Sequence, residues 1–291
     1  MEPSEHLNGG IAALAAGQTV FASFAPADIG NAQAMAAGPY DVVVFEMEHN
    51  PFDVSALRIS LQFLLDRRLI AAQGSVRPQV TPFVRIPANG SEMTQWLAKQ
   101  VLDSGVYGVI WPHVSTVAEA RNAVAACRYP RPPGSPGYEP PGLRGDGPFT
   151  AARYWGVDVG EYYRRADTWP LAPDGDILVV IMCEEVAAIR NLPKMLTEVP
   201  GIGVVLIGEG DLSQDLGHPR AYEHPDVEAA IADVVAICAD AGVPCGIPHV
   251  TEQNVEKRIE QGFRWLMPNP GRTHRATEIG RKALAERQVT T

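Results

Sequence analysis

Cysteine is scarce: the 291-residue chain has four (Cys127, Cys183, Cys238 and Cys245), with no Cys-x-x-Cys pair. Three of them lie inside apolar strand or helix patterns, which points to buried reduced thiols rather than a disulfide framework. Basic residues are outnumbered. Lys and Arg total 24 against 34 Asp and Glu, a net charge of −10, and no Lys/Arg-rich run occurs. Nucleic acid is therefore not an expected partner, although a pocket for a small anion stays open. No apolar stretch approaches membrane-spanning length, so a membrane is not expected as a partner. The opening residues, MEPSEHLNGG, carry neither the basic nor the apolar region of a signal peptide, and a cytoplasmic protein is expected. Internal repeats are not visible either.

What the chain does have is an ordinary globular composition, 46% hydrophobic and 20% charged, and enough length to bury a full core. Its apolar runs are short, β-branched and not alternating, as in strands covered on both faces. Strands are predicted at Val20–Phe24, Asp41–Phe45, Pro82–Ile86, Gly108–Trp111, Ile177–Cys183, Gly203–Ile207, Pro244–Ile247 and Phe263–Met267. Helical patterns fall between them, at Val54–Leu65, Glu92–Ser104, Val117–Cys127, Ala187–Thr197, Val227–Ala241 and Thr251–Gln261. Gly105, Gly242 and Gly262 stand where helix C-terminal glycines often do. Strand alternating with helix argues for a parallel sheet, and eight units in about 250 residues match a (β/α)₈ barrel of the TIM type. A doubly wound open sheet is the alternative. The chain reads as one barrel domain over residues 1–291, with a polar tail after Lys282 expected to fray.

One segment interrupts the pattern. Residues 129–176 form a long Pro/Gly/aromatic-rich insertion after the fourth strand unit. A loop of that length inside a compact domain is commonly a lid or an interface arm, and its aromatic content argues against disorder.

Acidic groups stand where three apolar runs end: Glu46-Met-Glu48-His49, Glu184-Glu185, and Glu209-Gly210-Asp211. In parallel barrels the active site lies at the C-terminal strand ends, so these carboxylates would share one rim. Mg²⁺ or Mn²⁺ prefers oxygen ligands and often takes only two protein carboxylates; Glu184 and Asp211 can supply that pair. The plainer reading makes them helix-start acids favoured by the helix dipole, and for Glu185 and Asp215 that reading is preferred. His49 suits a general base, oriented by Glu46 or Glu48; alone it could equally be a structural histidine. Arg85 leaves an apolar strand and needs an anion, either an internal carboxylate (Glu46 or Glu184) or a substrate carboxylate or developing enolate oxygen. His113, next to Pro112, and His249, next to Pro248, could line the pocket or be ordinary loop histidines. Gly208 and Gly210 could offer backbone N–H groups to a carboxylate.

These residues resemble the HpcH/HpaI family of metal-dependent class II aldolases, which includes enzymes acting on 2,4-dihydroxyhept-2-ene-1,7-dioate and is distantly similar to the citrate-lyase β subunit. The resemblance runs from about Val20 to Leu284. It is carried by Glu46-Met-Glu48-His49-Asn-Pro51, Val84-Arg85-Ile-Pro87, Leu102-Asp103-Ser-Gly105, Gly108-Val-Ile-Trp-Pro112, Gly142-Leu-Arg144-Gly145, Glu184, and Ile207-Gly208-Glu-Gly-Asp211-Leu-Ser213. It implies a pyruvate/phosphoenolpyruvate-type (β/α)₈ barrel and a homo-oligomer, hexamer or trimer, with exchanged C-terminal helices. It also implies Mg²⁺, Mn²⁺ or Co²⁺ on Glu184 and Asp211, chelated by a pyruvate-like donor whose enolate is metal-bound. Arg85 would then steady the enolate oxygen, His49 with Glu46 would move the proton, and Asp103 would serve a neighbouring subunit's acceptor pocket. Pro112, His113, Glu48, Gly208 and Gly210 would line the substrate site.

The chain departs from the family pattern at Glu46, where Asp is usual, at Met182, where Gln is usual, and at Glu209, which puts a negative charge beside the expected donor carboxylate. The implied reaction is cleavage of a 4-hydroxy-2-oxo acid to pyruvate, or a related 2-oxo acid, and an aldehyde. Oxaloacetate decarboxylation, CoA-ester cleavage, or a non-catalytic barrel that binds 2-oxo acids are the alternatives on the same scaffold.

Overall fold

The computed structural model describes residues 5–88, 93–269 and 273–290. The β-branched runs form β1 (Val20–Ala25), β2 (Val42–Glu46), β3 (Thr81–Arg85), β4 (Gly108–Trp111), a two-residue β5 (Thr168–Trp169), β6 (Ile177–Cys183), β7 (Val204–Ile207), β8 (Cys245–Val250) and β9 (Trp265–Pro268). All pairings are parallel, in the order β4-β3-β2-β1-β9-β8-β7-β6, and β4 pairs with β6. That last pairing closes the ring. Eight strands make the barrel and β5 pairs with the start of β6 at Ile177 and Leu178, so the open-sheet alternative is excluded.

The helices are α1 (Gly9–Ala15), α2 (Ile29–Ala36), α3 (Val54–Leu64), α4 (Arg67–Gln73), α5 (Gln95–Ser104), α6 (Val117–Ala126), α7 (Phe149–Trp155), α8 (Val159–Arg165), α9 (Val186–Glu198), α10 (Glu209–Asp215), α11 (Pro225–Ala241), α12 (Val255–Glu260) and α13 (Arg275–Thr290). Most sequence-predicted bounds hold within a few residues. The predicted helix start at Glu92 lies outside the described residues, and α5 begins at Gln95. Helix α12 starts at Val255 rather than Thr251, because the Asn254 side chain accepts the Thr251 N–H at 2.8 Å and closes a turn first. The segment after Lys282 is helical to Thr290, against the expectation of a frayed tail. Among the described residues no helix is long and apolar enough to cross a membrane.

The bottom of the barrel, where the strands start, is sealed. Asn8 caps α1, accepting from Gly10 N and Ile11 N, while its amide donates to Tyr107 O and Asp176 O. The insertion joins this end. Trp155 stacks on Tyr107 with centroids 4.2 Å apart and donates to Gly105 O at 2.8 Å. Arg128, 1% exposed, holds Asp167 at 2.6 Å and donates to Gly137 O and Pro140 O. The lid expectation is thus corrected. Helix α6 delivers the chain to the strand N-terminal end, so the insertion folds beneath the barrel, away from the strand exits.

Phe83 from β3 and Trp265 from β9 meet across the interior at 5.6 Å. Space for them depends on Gly108 and Gly246, since a Cβ at either position would overlap the Phe83 ring or press on Trp265. Gly108→Ala should therefore cost about 1–3 kcal/mol through overpacking, read as a lower denaturant midpoint with an unchanged slope. An unaltered midpoint would show that the interior is not filled in this way.

Candidate metal centre and proton-transfer rim

Glu46 and Arg85 close β2 and β3 and are partners in register. The geometry therefore sets a carboxylate beside a guanidinium at adjacent strand exits. Arg85 Nε lies 2.6 Å and Nη2 2.5 Å from Glu46 Oε2, while Nη1 lies 3.0 Å from Glu48 Oε2. The guanidinium also covers the Phe24 ring at 4.6 Å. A cation this buried must be paired, and the internal-partner reading of Arg85 holds. Glu46 uses its other oxygen to accept the backbone N–H groups of Glu48 (2.8 Å) and His49 (3.1 Å).

Glu46 forms no hydrogen bond or ion pair with the His49 ring, so the expected Glu46–His49 dyad is corrected. Strand β2 stops at Glu46, and the turn that its carboxylate caps reorients the next three residues. Glu48 takes the place instead. Its side chain is 8% exposed, with Oε2 3.6 Å from His49 Nε2 and Oε1 3.9 Å from His113 Nε2. Burial holds the Glu48 carboxyl above its ordinary pKa and Glu46 adds to that, while Arg85, His49 and His113 pull the other way. The His49 ring itself is 69% exposed, open to whatever enters from solvent.

Glu184 follows β6 directly and is 2% exposed. Its Oε1 accepts the His113 N–H at 2.5 Å, and a Cβ on Gly208 would overlap its carboxylate, which is why glycine stands there. Asp211 lies in the first turn of α10. His113, Glu184 and Asp211 each bring a ligand atom within 4.8 Å of the others. Burial is the chief reason the Glu184 pKa is pushed up to about 7; Glu48 and Asp211 add, and the His113 N–H and ring oppose. Burial alone would lower His113, but Glu184, Glu185, Glu48 and Asp211 outweigh it and raise its pKa. Carboxylates converging on one imidazole, with Glu184 buried and Asp211 open to solvent, are a donor set that fits a divalent cation.

His113 is more central than the sequence suggested. Its backbone is left-handed, φ 53°, and Glu185 Oε1 lies 3.1 Å from Nδ1. Glu185 is accordingly not a plain helix-start acid: it holds His113 and accepts from Ser115 Oγ, and makes no capping bond to α9. Asp215 performs that task from α10, accepting the Val186 N–H at 2.7 Å. Glu209 points away from the metal pair, into His249 (2.8 Å from Nδ1) and Arg258 (3.5 Å from Nη2). Its charge is spent there. Asp103 is not at this rim in its own chain: it sits near the end of α5, 2.9 Å from buried Arg144. Met182 brings its sulfur to 3.9 Å from Arg85 Nη1. Pro112 and Gly208 lie in the exit turns of β4 and β7, and Gly210 lies in the first turn of α10 next to Asp211.

A sequence model described as HpcH/HpaI aldolase/citrate lyase matches residues 20–266. The chain is 31% identical over 263 residues to the 4-hydroxy-2-oxo-heptane-1,7-dioate aldolase of Klebsiella pneumoniae subsp. pneumoniae, covering 88% of this chain and 84% of that one. It is 27% identical to the hydroxypyruvate/pyruvate aldolase of Roseobacter denitrificans, with 87% of each chain covered. Among solved structures, an HpcH/HpaI aldolase/citrate lyase family protein of Burkholderia cenocepacia superposes with a TM-score of 0.70 at 25% identity, covering 94% of this chain and 95% of that one.

The raised Glu184 pKa sets a pH dependence. Protonated Glu184 favours the metal-free fold, a contribution lost as pH rises through about 7; cation binding has the opposite sign because it needs the carboxylate. The rise in Tm on adding Mn²⁺ should thus be small near about pH 5.5, large near about pH 8, and absent at both in Glu184→Gln. A metal-induced shift independent of pH would count against Glu184 as a ligand.

Proposed function

The chain belongs to the HpcH/HpaI aldolase/citrate lyase family and is an aldolase-type carbon–carbon lyase, and on that premise we propose that it cleaves a 4-hydroxy-2-oxo acid to pyruvate, or a close 2-oxo acid, and an aldehyde. The observation that carries this reading is the His113–Glu184–Asp211 cluster beside the Arg85–Glu48–His49 group at one barrel end.

Glu184 and Asp211 would hold the divalent cation, Mg²⁺, Mn²⁺ or Co²⁺, with His113 as a third donor. The cation supplies Lewis-acid stabilisation of the charge that develops on the donor's keto oxygen. Arg85 Nη1 faces the same rim, and the Glu46 tether fixes the guanidinium plane so that little reorganisation is needed as charge develops. His49, with Glu48 behind it, takes the proton from the C4 hydroxyl. The C3–C4 bond then breaks, its electron pair passes into the 2-oxo acid fragment, and the aldehyde leaves. Return of a proton to C3 completes the 2-oxo acid product. The reverse sequence joins the two fragments.

Imidazole suits Mn²⁺ and Co²⁺ better than Mg²⁺, so His113 biases the site toward the transition metals. A homo-oligomer, trimer or hexamer, is supported by large apolar side chains left exposed on one chain, among them Trp96, Leu143 and Phe149. Four buried free cysteines support a cytoplasmic setting.

Two outcomes are expected. Pyruvate methyl protons should exchange in D₂O in a metal-dependent manner, with the rate reduced on the order of 10²-fold or more in Arg85→Ala and His49→Ala. Absence of exchange with every 2-oxo acid and metal tried would sink the aldolase reading. In competitive titrations His113→Gln should lose Mn²⁺ affinity on the order of tenfold or more while Mg²⁺ affinity changes less. Parallel losses for both ions would remove His113 from the ligand set.

A further inference from the structure

A second group of metal-type side chains lies outside the rim, where residues 216–224 connect α10 to α11. The connection is pinned to the helix before it. Ser213 O accepts from His218 N at 2.7 Å, and Ser213 Oγ accepts from Arg220 N at 2.9 Å. Gly217 and Arg220 take left-handed backbone, φ 80° and 58°, which turns the chain back on itself. The reversal lays the His218 ring on the His224 ring, centroids 3.4 Å apart at an interplanar angle of 17°. Pro225 then opens α11 and fixes the backbone between His224 and Asp226.

Three ligand atoms converge there. His218 Nε2 lies 3.0 Å from Asp226 Oδ2, and His224 Nδ1 lies 3.7 Å from the same oxygen. All three are within 4.8 Å of one another. Donors on a tetrahedral zinc ion stand about 3.3–3.5 Å apart, a spacing that those two distances bracket. His224 Nδ1 accepts the Asp226 N–H at 3.2 Å, so that nitrogen is presented to the cluster as an acceptor. Among the described residues the ion-pair partners of Asp226 are these two histidines, and no Lys or Arg takes the place of a cation. All three side chains are partly exposed, which leaves the cluster open to an ion from solvent. Capping α11 uses His224 alone and does not require His218 to share the same carboxylate oxygen.

We propose that His218, His224 and Asp226 form a second metal site, separate from the Glu184–Asp211 centre, which takes Zn²⁺ with water in the fourth position. Two imidazoles and one carboxylate rank Zn²⁺ well above Mn²⁺ and Mg²⁺, so the two sites divide the metals between them. The bound ion ties the α10–α11 connection to the first turn of α11. It stabilises the folded chain, because the donors separate when the chain unfolds. No step of the carbon–carbon cleavage passes through this site, and the proposal stands independently of the aldolase reading.

The test titrates Zn²⁺ by equilibrium dialysis into the chelator-stripped full chain carrying Glu184→Gln, which removes the rim centre. Zn²⁺ should bind and resist displacement by an excess of Mn²⁺ of about tenfold. Adding His218→Gln or His224→Asn should weaken that binding on the order of a hundredfold. Asn keeps a capping side chain at the start of α11, so the second variant changes the ligand and preserves the helix. The four cysteines are buried and offer no competing exposed thiol. A second measurement uses the wild type. In crystals soaked in Zn²⁺, anomalous diffraction at the zinc edge should show a peak bonded to His218, His224 and Asp226. Zn²⁺ binding that survives both substitutions, or a soaked wild-type crystal with no peak at these residues, would overturn the site.

Discussion

Negative charge gathered at one end of a closed barrel, much of it buried, is what the rest of the structure answers to. Because all eight strands run the same way, their exits converge, and Glu46, Glu48, Glu184, Glu209 and Asp211 arrive at a single rim. Desolvated carboxylates are costly unless paired. The chain resolves most of the cost locally. Arg85 pairs with Glu46 and reaches Glu48, and Glu209 is matched by His249 and Arg258. Among the described residues, buried Glu184 and solvent-facing Asp211 share His113. Their shortage of positive charge is the electrostatic reason for assigning a cation there, and the same crowding lifts the Glu184 pKa.

Stability and chemistry are assigned to opposite ends. The insertion, α1 and two buried arginines knit the strand starts together, with Arg128 on Asp167 and Arg144 on Asp103. Trp155 on Tyr107 adds a stacked apolar seal. That end carries the packing, so the rim can hold strained backbone at His113 and His249 and like charges a few ångströms apart. Such features weaken a fold and are tolerated when the surroundings over-determine them.

The barrel was legible because its signal is strong and local. Runs such as Ile177–Cys183 have no polar residue until they end, so both the strand and the side chains beyond it could be read from sequence. The arrival of Glu184 and Asp211 at neighbouring strand exits was legible for the same reason. Errors arose where one residue's geometry depends on contacts distant in sequence. Strand parity put Glu46 and Glu48 on one face, but parity ends with the strand, and Glu46 folds back onto Arg85, 39 residues away. Glu185 and Asp215 were both read as helix-start acids of their own segments. The structure gives the capping of α9 to Asp215 and turns Glu185 onto His113. The direction of the insertion was hidden because composition marks an aromatic-rich loop without saying which barrel end it covers. His113 carried only a weak signal, a Pro-His pair at a strand exit.

The central assignment is the seat of the cation, and anomalous diffraction from crystals soaked in Mn²⁺ tests it. A peak bonded to Glu184 and Asp211, with His113 within coordination distance, is expected, and Glu184→Gln should erase it. The described residues contain one other group of possible ligands, His218, His224 and Asp226, whose ligand atoms also lie within 4.8 Å of one another. A peak there with none at Glu184 would contradict a metal centre at the β6 and β7 exits, and with it the role given to every residue placed around that centre.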